Sequence, residues 1–214
     1  MTELAGRPDE PVAVPAVVGG IAAGRPIGVV WANEVGGVTF EVGHGTERCF
    51  VKWSPLGTAP DLEPEVARLR WAGAYTPVPR VLGRGRDQRA TWMVTAALPG
   101  SNAVEPRWKA DPATAVAAIG RGLRALHDAL PVAGCPFTWS AVDRVASAHR
   151  RAAELDPDAW DPSHTGLGVA AALNRLGHPP PTDRLVVCHG DSCAPNTLLD
   201  DDGTVAVEGY AGDP

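Results

Sequence analysis

Two stretches, GGVTFEV (Gly36 to Val42) and RCFVKW (Arg48 to Trp53), alternate their side chains with a period of two. In the first, Val38, Phe40 and Val42 alternate with Thr39 and Glu41. In the second, Arg48, Phe50 and Lys52 share one face while Cys49, Val51 and Trp53 share the other. Such a period can only be satisfied by extended chain with one buried face. The turn residues Gly36-Gly37 and Gly43-His44-Gly45 bracket these runs, and GVVWAN (Gly28 to Asn33) precedes them. Short glycine-rich connections between alternating runs predict an antiparallel meander. A helix is expected next: Asp61 caps it, Pro64 suits its first turn, and Val66, Leu69 and Gly73 fall on one side. PVPRVLG and ATWMVTA read as two further strands. The first hundred residues therefore predict a five-stranded sheet with one helix after its third strand, ending at a hinge, Leu98-Pro99-Gly100.

The period then changes. Val116, Ile119, Leu123, Leu126 and Leu130 recur at steps of 3, 4, 3 and 4, the stripe of a helix opened by Asp111-Pro112 and closed by Pro131. Ser140 and Asp143 resemble a capping box for a helix beginning AVDRVASAHRR, and LGVAAALNRLG reads as a shorter one. Residues 1–26 read as a loose leader. Its first ten residues hold three acids and one arginine, the wrong sign for a secretory signal. The uncharged run after them is too short and too broken by proline and glycine to span a bilayer.

A net charge of −6 argues against a general nucleic-acid binder and is compatible with cationic small molecules. Four cysteines in a chain of 214 residues form no Cys-x-x-Cys pair, so reduced thiols and a cytoplasmic location are expected. The densest chemistry lies in LVVCHGDSCAPNTLLDDDGTV, Leu185 to Val205. Within it, Asp191 and Asn196 stand five positions apart. Phosphoryl transfer needs a carboxylate to orient or deprotonate the attacking hydroxyl and oxygen ligands for the Mg²⁺ that neutralises the phosphates, and this pair can serve both roles. Strands over RLVVC and TLLD are expected to hold the loop, with His189 bracing it. Zinc ligation by Cys188, His189 and Cys193 is the competing reading, but the spacing fits no common pattern. DDDG reads as a turn.

With FVKW, PVPRVLG, LRALH, CPFTWS and VVCHGDSCAPNTLLDDDG in hand, the chain resembles the aminoglycoside phosphotransferase family, of kanamycin-kinase type, from about residue 27 onward. The resemblance implies an α+β, two-lobed protein-kinase-like fold. Residues 27–97 would be the nucleotide-binding lobe, with an antiparallel five-stranded sheet and one helix, and 98–214 the helical catalytic lobe. It implies ATP and Mg²⁺ as cofactors and O-phosphorylation of an aminoglycoside hydroxyl. Lys52 would contact the α- and β-phosphates, with Glu65 as its ion-pair partner. Ala96, Ala97 and Leu98 would form the hinge that hydrogen-bonds adenine. Asp191 would be the catalytic base and Asn196 a metal ligand. Asp158 and Asp161 would bind substrate ammonium groups, and as plain loop acids they have an equally good reading.

The sequence departs from the family in its last strand. Tyr210 stands where a second metal-binding aspartate is expected, with Gly212 at the family's glycine. Glu208 is the substitute from a shifted register and Asp213 a remoter one. The family continues with further helices past this point. The expectation is therefore a truncated member with an incomplete helical lobe, whose apolar faces over 111–155 stay exposed and favour self-association. A non-catalytic remnant, or a kinase for another hydroxyl metabolite, is the alternative reading.

Overall fold

The computed structural model describes residues 5, 6, 8, 10–164, 166–177 and 184–208. The chain forms two compact units, residues 1–130 with 187–214 and residues 131–186.

The first unit is built on an antiparallel sheet. After a two-residue strand β1 (Ala5–Gly6) and helix α1 (Ala16–Ala22) come β2 (Ile27–Asn33), β3 (Val38–Val42) and β4 (Cys49–Pro55). Helix α2 (Glu63–Ala72) then precedes β5 (Val81–Arg86) and β6 (Ala90–Ala96). The sheet order is β1-β2-β3-β4-β6-β5. These are the five expected strands with the helix inserted after the third, and β1 extends the edge through Ala5↔Asn33 and Gly6↔Ala32. The hairpin between β2 and β3 turns at Gly36, whose φ of 88° suits glycine.

The period-two pattern decides what each face meets. Phe40, Val51 and Val94 stand in register across β3, β4 and β6, as do Thr39, Lys52 and Met93 one residue along. The first row is buried with Val18 and Ala22 of α1. On the other face, Met93 packs with Val66 and Leu69 of α2 and with Leu62 just before it. Within the expected leader, Ala16–Ala22 are a helix whose Val18 is 0 % exposed, and α1 covers an apolar sheet face that would otherwise meet water. Gly19-Gly20 and the preceding proline disguise this helix in the sequence, glycine being a poor helix former. Its C-terminus is closed by Arg25, which donates to the carbonyls of Ile21 and Ala22 at 2.9 and 3.0 Å.

Helix α2 begins as its signals require. Asp61 accepts the N–H of Glu63 at 3.0 Å, and Pro64 occupies the first turn. The start of α2 is also tied to β5 by ion pairs between Arg84 and Glu63 and, at 3.1 Å, between Arg86 and Asp61.

After the sheet come β7 (Ser101–Asn102), α3 (Pro106–Ala110) and α4 (Pro112–Ala129). Asp111 caps α4 by accepting the N–H of Thr114. The expected stripe is met except at its first position: Leu126 and Leu130 are buried and Ile119 and Leu123 pack against buried clusters, whereas Val116 is 68 % exposed and Ala115, Ala118 and Gly122 take neighbouring buried positions. Small residues win because α4 lies close against the strand carrying Leu199. Ala115 and Ala118 share a cluster with Trp108 and Leu199. Farther along, Leu126 and Leu130 pack with Ala72 of α2, beside Val187.

The second unit holds α5 (Ala141–Arg150) and α6 (Val169–Leu176). The capping box is present: Asp143 N–H donates to Ser140 Oγ at 3.2 Å, and Ser140 N–H to Asp143 Oδ2 at 3.0 Å. Among the described residues of 131–186 none is buried.

The chain returns to the first unit with β8 (Thr197–Leu199) and β9 (Val205–Glu208), which join β7 in the order β7-β8-β9. Residues 184–189 are not a strand, contrary to the expectation for RLVVC. Val187 packs against Ala72, Leu126 and Leu130, and His189 is buried. DDDG is the turn between β8 and β9, where Gly203 has φ 77° and lies so close to Thr114 that a Cβ would sit 2.7 Å from its methyl group. No helix among the described residues is long and apolar enough to cross a membrane.

Candidate active site

Lys52 projects from β4 on the face opposite the α1-covered core, and Glu65 comes from the first turns of α2. Their side chains meet at 2.7 Å, Glu65 at 8 % and Lys52 at 34 % exposure. The carboxylate is therefore out of water with the ammonium as its partner, while the ammonium keeps room for an anionic ligand.

The loop from His189 to Asn196 stands opposite. It is held at its end by β8 and by a 3-10 turn over Ala194–Asn196. Asn196 Nδ2 donates to Asp191 Oδ2 at 2.9 Å and to the Asp191 carbonyl at 3.1 Å, which fixes the carboxylate relative to the loop. His189 is buried, and its Nδ1 accepts the Asp191 N–H at 3.3 Å. Burial pushes the imidazole pKa down; the Asp191 charge and that hydrogen bond oppose the shift without cancelling it. A neutral ring accepting the N–H is a brace. The Cys193 thiol is pushed up, first by burial and then by its hydrogen bond to Asp191, so it is a protonated neighbour of the carboxylate and a poor metal ligand. The four cysteines are free thiols. Among the described residues no group of three His, Cys, Asp or Glu side chains is arranged to hold a metal.

Lys52, Glu65, Leu98, Asp191 and Asn196 line one cleft of about 690 Å³, with Trp31, Phe50 and Met93 supplying an apolar wall. That is the size and mixture of a small-molecule site: mostly apolar, with a few convergent polar groups. Ala96 ends β6 with its N–H on the Arg80 carbonyl, and the wall there is formed by Thr95 and Leu98.

Asp158 and Asp161 belong to the second unit, and both are exposed. Asp158 sits in a 3-10 turn. Asp161 accepts the Ser163 O–H and N–H at 2.5 and 2.9 Å, bonds that lower its pKa. Glu208 lies on β9 with its backbone opposite Thr197. Tyr210, Gly212 and Asp213 lie outside the described residues. Arg48 received no role from the sequence, yet its guanidinium donates to the Leu98 carbonyl at 3.1 Å from fifty residues away. The only sequence signal for it was its alternation with Phe50 and Lys52.

The profile of the phosphotransferase enzyme family matches residues 32–207. An aminoglycoside 3'-phosphotransferase of Streptomyces fradiae is 41% identical over 162 residues, 73% of this chain and 59% of the relative. A streptomycin 3''-kinase of Streptomyces griseus is 34% identical, with 85% of this chain and 68% of the relative covered. The chain thus spans roughly three fifths to two thirds of the length of these curated relatives. Among solved structures, an aminoglycoside-3'-phosphotransferase of type VIII superposes with a TM-score of 0.70 at 36% identity, covering 86% of this chain and 70% of that one. An aminoglycoside phosphotransferase from Streptomyces rimosus, in complex with ADP and streptomycin, superposes with a TM-score of 0.62 at 27% identity, covering 80% and 67%.

Proposed function

The chain belongs to the phosphotransferase enzyme family, with the kinase-like α+β fold of its structural neighbours, and on that premise we propose that it transfers the γ-phosphoryl group of ATP to a hydroxyl of an aminoglycoside. The observation that carries this reading is the convergence of the Lys52–Glu65 pair and the Asp191–Asn196 pair on one cleft. The relatives' names favour an aminoglycoside as the acceptor.

In this reading residues 27–97 hold the nucleotide and the chain from 98 onward carries the transfer chemistry. Lys52 donates to the phosphates, kept extended by Glu65. The hinge from Ala96 to Leu98 receives the adenine. Asp191 orients the acceptor hydroxyl and takes its proton as the hydroxyl oxygen bonds to phosphorus and the bond to the ADP oxygen breaks. Asn196 directs its amide nitrogen at Asp191, so its carbonyl oxygen is the atom left for a hard cation, and Asn196 fits Mg²⁺ as an oxygen ligand. Glu208, whose backbone lies opposite Thr197, would be the second ligand. When bound, Mg²⁺ neutralises charge on the phosphates. The exposed carboxylates of Asp158 and Asp161 receive substrate ammonium groups. Exposed apolar side chains such as Val116 and Val142 are the surfaces for self-association, and the protein works in the cytoplasm.

The test is ATP turnover with a panel of aminoglycosides, wild type against Asp191→Ala. The expected result is measurable turnover falling by about 10²–10⁴-fold in the variant, the range for loss of a general base. Equal background in both proteins would overturn the reading in favour of a non-catalytic nucleotide binder. Substitution of Asp158 or Asp161 by Asn is expected to raise KM for the aminoglycoside and leave KM for ATP unchanged.

A further inference from the structure

We infer that Arg48 is a positioning residue for the base end of the cleft, acting on a bound nucleotide through Leu98 and Phe50 without touching it. This rests on the nucleotide-binding reading above.

Arg48 stands just before β4, on the face that alternation shares with Phe50 and Lys52. It grips the departing chain twice. Its carbonyl accepts the Ala97 N–H at 3.1 Å, and its Nη2 donates to the Leu98 carbonyl at 3.1 Å. Between these two anchors lies the Leu98 N–H, which has no hydrogen-bond partner among the described residues and is a donor left for a ligand. The chain then leaves the sheet through Pro99 and Gly100, the latter at φ 91°. Among the described residues, Arg48 is therefore the last bridge between this segment and the strand end of the sheet.

The other side of the guanidinium is also engaged. Nη1 donates to Glu41 Oε1 at 3.3 Å, and the group lies 5.7 Å from the centroid of the Phe50 ring. Phe50 and Leu98 both line the cleft. One planar group thus sets a carbonyl, an aromatic ring and a carboxylate at once. A guanidinium does this with its fork of donors and its flat face; a lysine ammonium, a single hydrated point, cannot satisfy all three together. A flat heteroaromatic base needs its donor edge and its apolar wall fixed together, because each otherwise loses freedom on binding.

The experiment separates the base end from the phosphate end. Binding of adenosine and of tripolyphosphate to the full chain is measured by calorimetry for the wild type and for Arg48→Gln, Arg48→Lys and Glu41→Gln, with thermal melts alongside. Expected is adenosine binding about 5–10-fold weaker in both Arg48 variants, a smaller loss in Glu41→Gln, tripolyphosphate affinity within about twofold, and melting temperatures within about 4 °C. Unchanged adenosine affinity in Arg48→Gln overturns the inference. So does full affinity in Arg48→Lys, which would leave charge alone as the property that matters, and so does a parallel loss of both ligands, which would mean general loosening. A wild type that binds neither adenosine nor ATP removes the nucleotide reading itself and the inference with it.

Discussion

At the residue scale, the Lys52–Glu65 pair is the most consequential contact of the site. Glu65 is nearly out of water, so removing its partner leaves a buried charge uncompensated. Lys52→Met is expected to lower stability by about 1–3 kcal/mol in urea denaturation and to weaken ATP binding. Adding Glu65→Met restores stability but not ATP binding; a double variant that recovers both would remove the pair from the site. His189 makes a prediction in pH. Its folded pKa is held below the ordinary 6.5 by burial, so the unfolded chain takes the proton first as pH falls. Above the ordinary value both states are neutral and nothing is lost. Stability falls as pH drops through it and levels off below the depressed folded value. Melting temperature followed from pH 8 to pH 5 reports this slope, and His189→Gln is expected to flatten it. An unchanged slope would assign the titration to another group.

At the element scale, α4 tests how a helical stripe meets its neighbours. Leu126 is 3 % exposed and Val116 68 %. Leu126→Ala is expected to cost about 2–4 kcal/mol and Val116→Ala to stay within about 0.5 kcal/mol, both read from urea midpoints. Equal costs would restore the stripe read from spacing alone. That stripe was legible as a helix, because steps of three and four have no other solution. Its first position was not, because the contact with Trp108 and Leu199 takes Ala115, one position before Val116. Helix α1 was illegible for a related reason. Its two adjacent glycines weaken the local signal, and its stability comes from covering Phe40, Val42 and Val51. The capping box of α5 was legible because it is a contact across three residues.

At the scale of the whole molecule, stability is unevenly distributed. The sheet unit has a core of fully buried side chains, among them Phe40, Leu69 and Val51, whereas the described residues of 131–186 include no buried one. Hydrogen exchange is therefore expected to reach the amides of α5 and α6 well before those of β3, β4 and β6; simultaneous exchange would mean one cooperative unit. The amino-acid sequence alone determined the meander, the order of its elements and the loop that carries Asp191 and Asn196. Each of these follows from a period or a short spacing, which local backbone geometry enforces. The pairing of Lys52 with Glu65 was readable only through the family resemblance, and the fold brings the two side chains to 2.7 Å. Tertiary structure alone decided that α1 closes the far face of the sheet, that residues 184–189 are not a strand, and that Arg48 reaches Leu98. These depend on which surfaces the folded chain brings together across many residues, and no local pattern records a partner that distant.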